Sequence, residues 1–368
     1  MSSGYESGGY GLVELDGKVT ARAEAAGKVA KVITENMDLF LKSQPPKAYV
    51  AILYNPLSHM IGGQQAFTSE GQPIGYNNLS ESLQGIHKAF FERNIMVDFL
   101  HVIDLVPERL SQYKLLIVPY PVMMSKSHIG SLIEYVKSGG TLVAEARCGW
   151  IDERGFSSEV YPGGGLHEVF GCRESYLIPL RKTSEIKIKI SHESLPLLKE
   201  GDTLDALFFE EAFELIDKRS QVLAEYKSGK PAIVYAPYGQ GKAIIVGSFI
   251  GSAYHHFKNP NNAKFLAGLA HWLDIPRFVD VASSDKNVFV EARVLEGKNF
   301  KILFGFNRGD KETSAKLTLS VKGQNWTVRD LETGEKIPFD YKEGRVVVEK
   351  LLKPQQVCVA LIEQKQKD

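Results

Sequence analysis

The sequence predicts an α/β protein, with a parallel sheet covered by helices on both faces and a small antiparallel β-sandwich after it. Between about residues 46 and 275, short and nearly continuous apolar runs alternate with amphipathic helical ones, the pattern of strands buried on both faces. From Pro276 onward, apolar and polar residues alternate between glycine turns, as half-buried sandwich strands require. Ahead of both stands "ESGGYGLVELDGKVTARAEAAGKVAKVI", Glu6 to Ile33. It reads as a strand end, a tight Asp16-Gly17 turn and a long helix. The expected divisions are 1–45, 46–275 and 276–368, in keeping with about 150 residues per domain for a chain of 368.

The elements follow in order. Thr20 caps the first helix, and Ala26, Val29, Ala30, Ile33, Met37 and Phe40 recur along it at three- and four-residue steps as one apolar stripe. "KSQPPKA" ends it, because Pro45 and Pro46 cannot continue a helix. "AYVAILYN" (48–55) is a buried strand, and "NLSESLQGIHKAFFERN" (78–94) is a helix capped by Asn78 or Ser80. "IMVDFLHV" (95–102) and "YKLLIVPYP" (113–121) are strands. "SKSHIGSLIEYVKSGG" (125–140) is a helix with a glycine C-cap, and "TLVAEA" (141–146) is a further strand. Residues 176–229 read as a β-rich elaboration. "KPAIVYAPYGQGKAIIVGSFIG" (230–251) is a hairpin turning at Gly239-Gln240-Gly241, and "NNAKFLAGLAHWLDI" (261–275) is a closing helix. "VFVEARVLEG", "NFKILFGFNRG", "KLTLSVKG", "WTVRDLETG", "RVVVEKL" and "QQVCVALIEQ" supply the sandwich strands.

Bulk composition excludes several function classes. Lys plus Arg equals Asp plus Glu, 44 each, so a general nucleic-acid binder is not expected. No apolar run reaches the roughly 18 residues of a membrane helix. "MSSGYESGGYG" has neither the basic nor the apolar region of a signal peptide. Cys148, Cys172 and Cys358 are too far apart for a disulfide framework or a metal cluster. A cytoplasmic protein without metal or cofactor is the expectation.

The chemistry-bearing stretches are few. "RCGWIDERGF" follows the strand 141–146, at the end of a parallel strand where ligands gather. There Cys148 is a candidate nucleophile, with His255 and His256 of "AYHHFKNPNN" as candidate bases. Against this, a lone cysteine after a strand is ordinarily a small buried residue, and Arg147 and Trp150 are bulky for a sharp elbow. "YPGGG" (161–165) lacks the spacing and the Lys-Ser/Thr of a phosphate loop, and reads as a turn. The carboxylates of "DERG" and "FFEEAFE" (208–214) read as mostly solvated surface. Adjacent His255 and His256 point different ways, which argues against a metal. The stretch 54–78, "YNPLSHMIGGQQAFTSEGQPIGYNN", reads as a long loop at the end of the first strand. Loops of that length without structure of their own are often functional. Its His59, Gln64, Tyr76 and Asn78 suit sugar hydroxyls or a wet protein interface.

Taken together, "AYVAILYNP", "AFFERNIMVDFLHVIDL", "YKLLIVPYPVMMS", "YVKSGGTLVAEARCGWIDERG" and "YPGGGLHEVFGCRE" resemble the trimerisation domain of glycoside hydrolase family 42 β-galactosidases, from about residue 46 to 275. The resemblance implies a class I glutamine-amidotransferase-like (flavodoxin-like) fold without amidotransferase activity, then the family's small C-terminal sandwich. In that family a catalytic (β/α)8 barrel precedes this domain, and "GGYGLVELDGKVTARAEAAGKVAKVI" resembles its last elements. The family's two catalytic glutamates lie on earlier barrel strands, so no position here inherits either role. What the resemblance implies is a non-catalytic portion that forms homotrimers, completes a galactoside pocket and works with a barrel, which could be a separate polypeptide. It also implies that the helix 20–43 exposes its apolar stripe when no barrel covers it. A Cys148-dependent amidotransferase-like hydrolase and a stand-alone carbohydrate-binding protein remain as alternatives.

Overall fold

The computed structural model describes residues 11–365 except Leu15, 65–66, 70–71, 75–77 and 181–182. Tyr76 therefore lies outside the described residues, as do the side chains of Gln64 and Asn78. The chain divides into two compact units, Ala48–Arg277 being one and the residues on either side of it the other.

Helices α1 (Ala21–Glu35) and α2 (Met37–Leu41) open the second of these units. Val13 and Val19 pair across the Asp16-Gly17 turn. The Thr20 side chain then accepts a 3.1 Å bond from the Ala23 N–H, the cap read from the sequence. The burial of the stripe differs from expectation at one end. Val29, Ile33 and Met37 are exposed, whereas Val32, Leu39 and Phe40 pack against Ile302, Leu331 and Leu361.

In the 48–277 unit the elements are β1 (Val50–Tyr54), α3 (Pro56–Gln64), β2 (Phe67–Ser69), β3 (Gln72–Ile74), α4 (Asn78–Phe91) and β4 (Val97–His101). A 3-10 turn (Val102–Asp104) leads to α5 (Pro107–Leu110), β5 (Leu115–Val118), α6 (Lys126–Lys137), β6 (Thr141–Ala144) and α7 (Leu166–Phe170). Then come β7 (Cys172–Pro179), β8 (Ser184–Ile188), β9 (Thr203–Ala206), β10 (Phe209–Leu215), β11 (Gln221–Tyr226), β12 (Pro231–Tyr238) and β13 (Gly241–Val246). Helices α8 (Ile250–Phe257) and α9 (Pro260–Trp272) close the unit.

One nine-stranded sheet organises these elements in the order β4-β1-β5-β6-β13-β12-β11-β8-β9. Its first five strands are parallel, and the elaboration read over 176–229 extends it with antiparallel strands. β7 and β10 stand apart as a two-stranded ribbon. Successive strand residues alternate between two cores, as the two-residue period of a strand demands. Val50, Ile52, Ile117 and Val143 pack on one face with α4, α8 and α9, whereas Leu53, Leu116, Leu142 and Ile245 pack on the other with α6 and α7.

Two sequence expectations are corrected. Residues 56–64 of the supposed loop form α3: Pro56 sits at the first helical position, and the Asn55 side chain accepts a 3.2 Å bond from the Leu57 N–H. The run 230–251 is a hairpin only as far as Val246, and α8 begins at Ile250.

The β-sandwich comprises β14 (Val279–Ser283), β15 (Val290–Glu296), β16 (Phe300–Asn307), β17 (Thr313–Ser320), β18 (Trp326–Asp330), β19 (Phe339–Lys342), β20 (Arg345–Leu352) and β21 (Val357–Gln364). They form two four-stranded sheets, β14-β17-β20-β19 and β15-β16-β21-β18. Inward-facing Val290, Ala292, Val294, Leu317, Val346, Val348, Ala360 and Ile362 make the core between them, and on the outer face Ile302 and Leu361 are buried under α1 and α2.

Candidate functional site

In a doubly wound sheet the place to look for a ligand is where the strand order reverses. Here the chain goes from β1 outward to β4 and then crosses back to β5 on the other side of β1. The crevice beyond the carboxyl ends of β1, β5 and β6 is therefore the candidate site.

Among the described residues, the protein's own side chains fill it. At the end of β1, the buried Asn55 donates to the Met123 carbonyl (2.7 Å) and to Ser58 Oγ (3.2 Å). Ser58 in turn bonds the Met123 carbonyl and N–H, each at 3.1 Å. Just past β5, Tyr120 is fully buried at φ +44°, in the left-handed region that side chains rarely occupy. Its ring lies 4.9 Å from that of Phe249, which also meets Phe208 and Phe209 at 5.8 Å. Just past β6, Glu145 accepts from the Tyr120 N–H (3.0 Å), the Gly251 N–H near the start of α8 (2.8 Å) and the Ser82 hydroxyl of α4. Burial pushes its carboxyl up to about 7 in spite of those donors.

Next to Glu145 is a second buried polar group. Arg147, at φ +62°, pairs with Glu174, and its guanidinium lies over the rings of Trp150 (4.4 Å) and Tyr161 (4.9 Å). Its backbone N–H donates to Glu211, whose carboxyl is raised by burial. Glu211 is thus a correction to the solvated-surface reading of 208–214: it is fully buried in β10. "YPGGG" packs against this segment, where a Cβ on Gly163 would come within 1.9 Å of the Gly149 carbonyl oxygen. Gly163 thus serves close approach, whereas Gly164 and Gly165 take positive φ (+63° and +95°).

The candidates singled out in the sequence are not brought together. Cys148 is 1% exposed and packs on the sheet face opposite to α8, which carries His255 and His256. Burial, then the neighbouring Glu211, raises its thiol well above the ordinary range, so the thiolate a nucleophile needs is disfavoured. His256 instead lies 3.1 Å from Glu81, with the His255 ring perpendicular to its own. Among the described residues no group of three or more His, Cys, Asp or Glu could hold a metal ion. His59, on α3, is part-buried and its Nδ1 has no partner among the described residues. A cleft of about 430 Å3 opens at the other end of the sheet, beside Tyr113, Lys114, Tyr135 and Gly140. The Tyr135 hydroxyl there is committed to the Tyr113 and Thr141 carbonyls. Iodoacetamide at pH 8 is expected to leave Cys148 and Cys172 unlabelled in the native protein and to label both in urea, as peptide mass spectrometry would read.

Sequence reasoning missed Glu145 and Glu211. One signal was available for Glu145: it ends the nearly all-apolar run "TLVAEA", where a charged side chain has to find partners or neutralise.

The class these residues define is a mixed α/β unit built on a large, partly parallel sheet, in one chain with a β-sandwich. The family model of the β-galactosidase trimerisation domain matches residues 48–276, and the chain belongs to that family, a non-catalytic part of glycoside hydrolases. Among curated relatives, β-galactosidase Pbg of Clostridium perfringens is 25% identical over 84% of this chain and 41% of its own length. β-Galactosidase GalA of Bacillus licheniformis is 26% identical over 82% of this chain and 41% of its own. The chain thus spans about two fifths of the length of these relatives. The crystal structure of a β-galactosidase from Bacillus circulans sp. alkalophilus superposes with a TM-score of 0.72 at 20% identity, covering 96% of this chain and 46% of that one. That likeness shows the fold. No helix among the described residues is long and apolar enough to cross a membrane.

Proposed function

We propose that this chain is the assembly portion of a β-galactosidase-like glycoside hydrolase, joining copies into a homotrimer. The acid and nucleophile that cleave the galactoside would come from a catalytic barrel outside these residues. The match of residues 48–276 to a trimerisation domain carries the reading, and the filled crevice supports it. In the same reading the fold is amidotransferase-like with its catalytic position lost, the segment 1–45 holds the last elements of a barrel, 46–275 assembles the copies and 276–368 is the accompanying sandwich. His59, Gln64, Tyr76 and Asn78 would lend polar groups to a galactoside pocket completed by the barrel. Three buried free cysteines fit a reducing, cytoplasmic setting.

The purified chain is expected to sediment as a three-copy species and to release no product from a chromogenic galactoside. Adding a separately prepared family barrel is expected to bring turnover. A monomer at micromolar concentration, or robust hydrolysis by the chain alone, would overturn the reading.

A further inference from the structure

The two edges of the nine-stranded sheet are treated differently. At the β9 edge, side chains of the α9 segment occupy the strand's outer hydrogen-bonding groups. Asn262 accepts from the Asp205 N–H (2.9 Å) and donates to the Asp205 carbonyl (3.0 Å), Asn261 donates to the Thr203 carbonyl (3.1 Å), and Asn259 holds the Asp205 carboxylate (3.1 Å). That edge is closed from within.

At the β4 edge nothing comparable is found among the described residues. Among the described residues β4 pairs only with β1, in unbroken register from Val97 to His101. Natural edge strands are blunted by lysine, proline, bulges or inward charges. The strand "VDFLH" has no lysine or proline, and its one acid, Asp98, accepts a 2.9 Å bond from the Tyr113 hydroxyl. Phe99 is 55% exposed on this strand, and Ile103, on the turn that follows, is 73% exposed. Rings of α4 and β1 meet those of the edge strand. The His87 ring lies 5.6 Å from Phe91 and 5.4 Å from Phe99, and the His101 ring lies 5.6 Å from Tyr54. An edge with Phe99 and Ile103 exposed and with neither lysine nor proline invites pairing unless the assembled state covers it.

We propose that the β4 edge, centred on Phe99 and Ile103, is a contact surface for a second copy of this chain. The occupant follows from the unit that carries the edge, which matches a trimerisation domain over its whole length, so the inference rests on the function proposed above. A closed threefold ring uses heterologous contacts, so the edge of one copy meets a different face of the next.

The test is sedimentation velocity on the full chain and on Phe99→Glu and Ile103→Glu, with circular dichroism and thermal melting to verify folding. The wild type is expected to be trimeric, and each charge is expected to weaken assembly by roughly a hundredfold, as for a central apolar contact, so that folded monomer dominates at micromolar concentration. Ile103 lies outside the strand and gives the same readout if Phe99→Glu fails to fold. A trimeric wild type with both folded variants still trimeric overturns this inference and leaves the proposed function standing. A monomeric wild type overturns both. A wild-type dimer that both variants dissolve keeps the edge as the copy contact and removes the trimer.

Discussion

Replacing Glu145 by alanine is expected to lower the unfolding free energy of the 48–277 unit by about 3–9 kcal/mol, because three buried donors lose their acceptor at once and each costs about 1–3. Those donors come from separate parts of the chain, namely the Tyr120 N–H after β5, the Gly251 N–H of α8 and the Ser82 hydroxyl of α4. The carboxylate is therefore a junction between the parallel strands and two helices on one face. Chemical denaturation followed by tryptophan fluorescence would read the loss, and an effect below about 1 kcal/mol would show that the junction is not structural.

The same group makes stability depend on pH. Its folded pKa is raised from 4.5 to about 7, with burial the first cause. Between those values the native state keeps a proton that the unfolded state has released, so unfolding is favoured progressively as pH rises. The contribution is fully present below about pH 4.5 and is lost as pH climbs through 7. At about 1.4 kcal/mol per pH unit it amounts to roughly 3 kcal/mol. Glu145→Gln, neutral at every pH, is expected to flatten this slope and to hold the advantage at pH 8. A slope unchanged in Glu145→Gln would assign it to another group.

The features that could be read from the chain are those set by near neighbours in sequence. Thr20 caps its helix as expected, and β12 and β13 turn at Gly239-Gln240. Six of the eight sandwich strands fall in the runs identified by alternation, while β14 and β19 lie outside them. Family membership was readable too, through runs such as "SGGTLVAEARCGWIDE". What could not be read depends on contacts across the fold. Glu211 looks like one acid in an acidic run until β10 carries it beneath the Arg147 backbone, and Arg147 itself reaches Glu174 of β7. The apolar stripe of α1 is periodic, yet periodicity does not say which flank a neighbour covers, and Val32 rather than Val29 faces the sandwich. Asn55-Pro56 was a readable helix start that the abundance of Gly, Asn and Gln downstream obscured.

Gly85→Ala is expected to destabilise the same unit by about 3 kcal/mol, an overpacking cost at the upper end of the usual range. α4 and α8 meet backbone to backbone there. A Cβ on Gly85 would lie 1.9 Å from the Gly251 carbonyl oxygen, and one on Gly251 would lie 2.6 Å from the Ser82 carbonyl oxygen. No flexible side chain stands between them to move aside, so the helices must separate. Gly130, in the middle of α6, has nothing within 4 Å of an added Cβ. There the same substitution is expected to stabilise by about 0.5–1 kcal/mol, since alanine restricts the unfolded chain and favours the helix. Opposite signs from one chemical change in one unit would isolate the helix contact from propensity. Because Gly251 both abuts Gly85 and donates to Glu145, and Ser82 lies one turn from Gly85 on α4, moving α8 also withdraws a donor from the carboxylate. The Gly85→Ala and Glu145→Gln effects are accordingly expected to fall short of additivity by 0.5 kcal/mol or more, roughly the coupling of residues in one network. Strict additivity in a double-mutant cycle would separate the helix contact from the carboxylate junction and leave the filled crevice resting on Tyr120 and its aromatic neighbours.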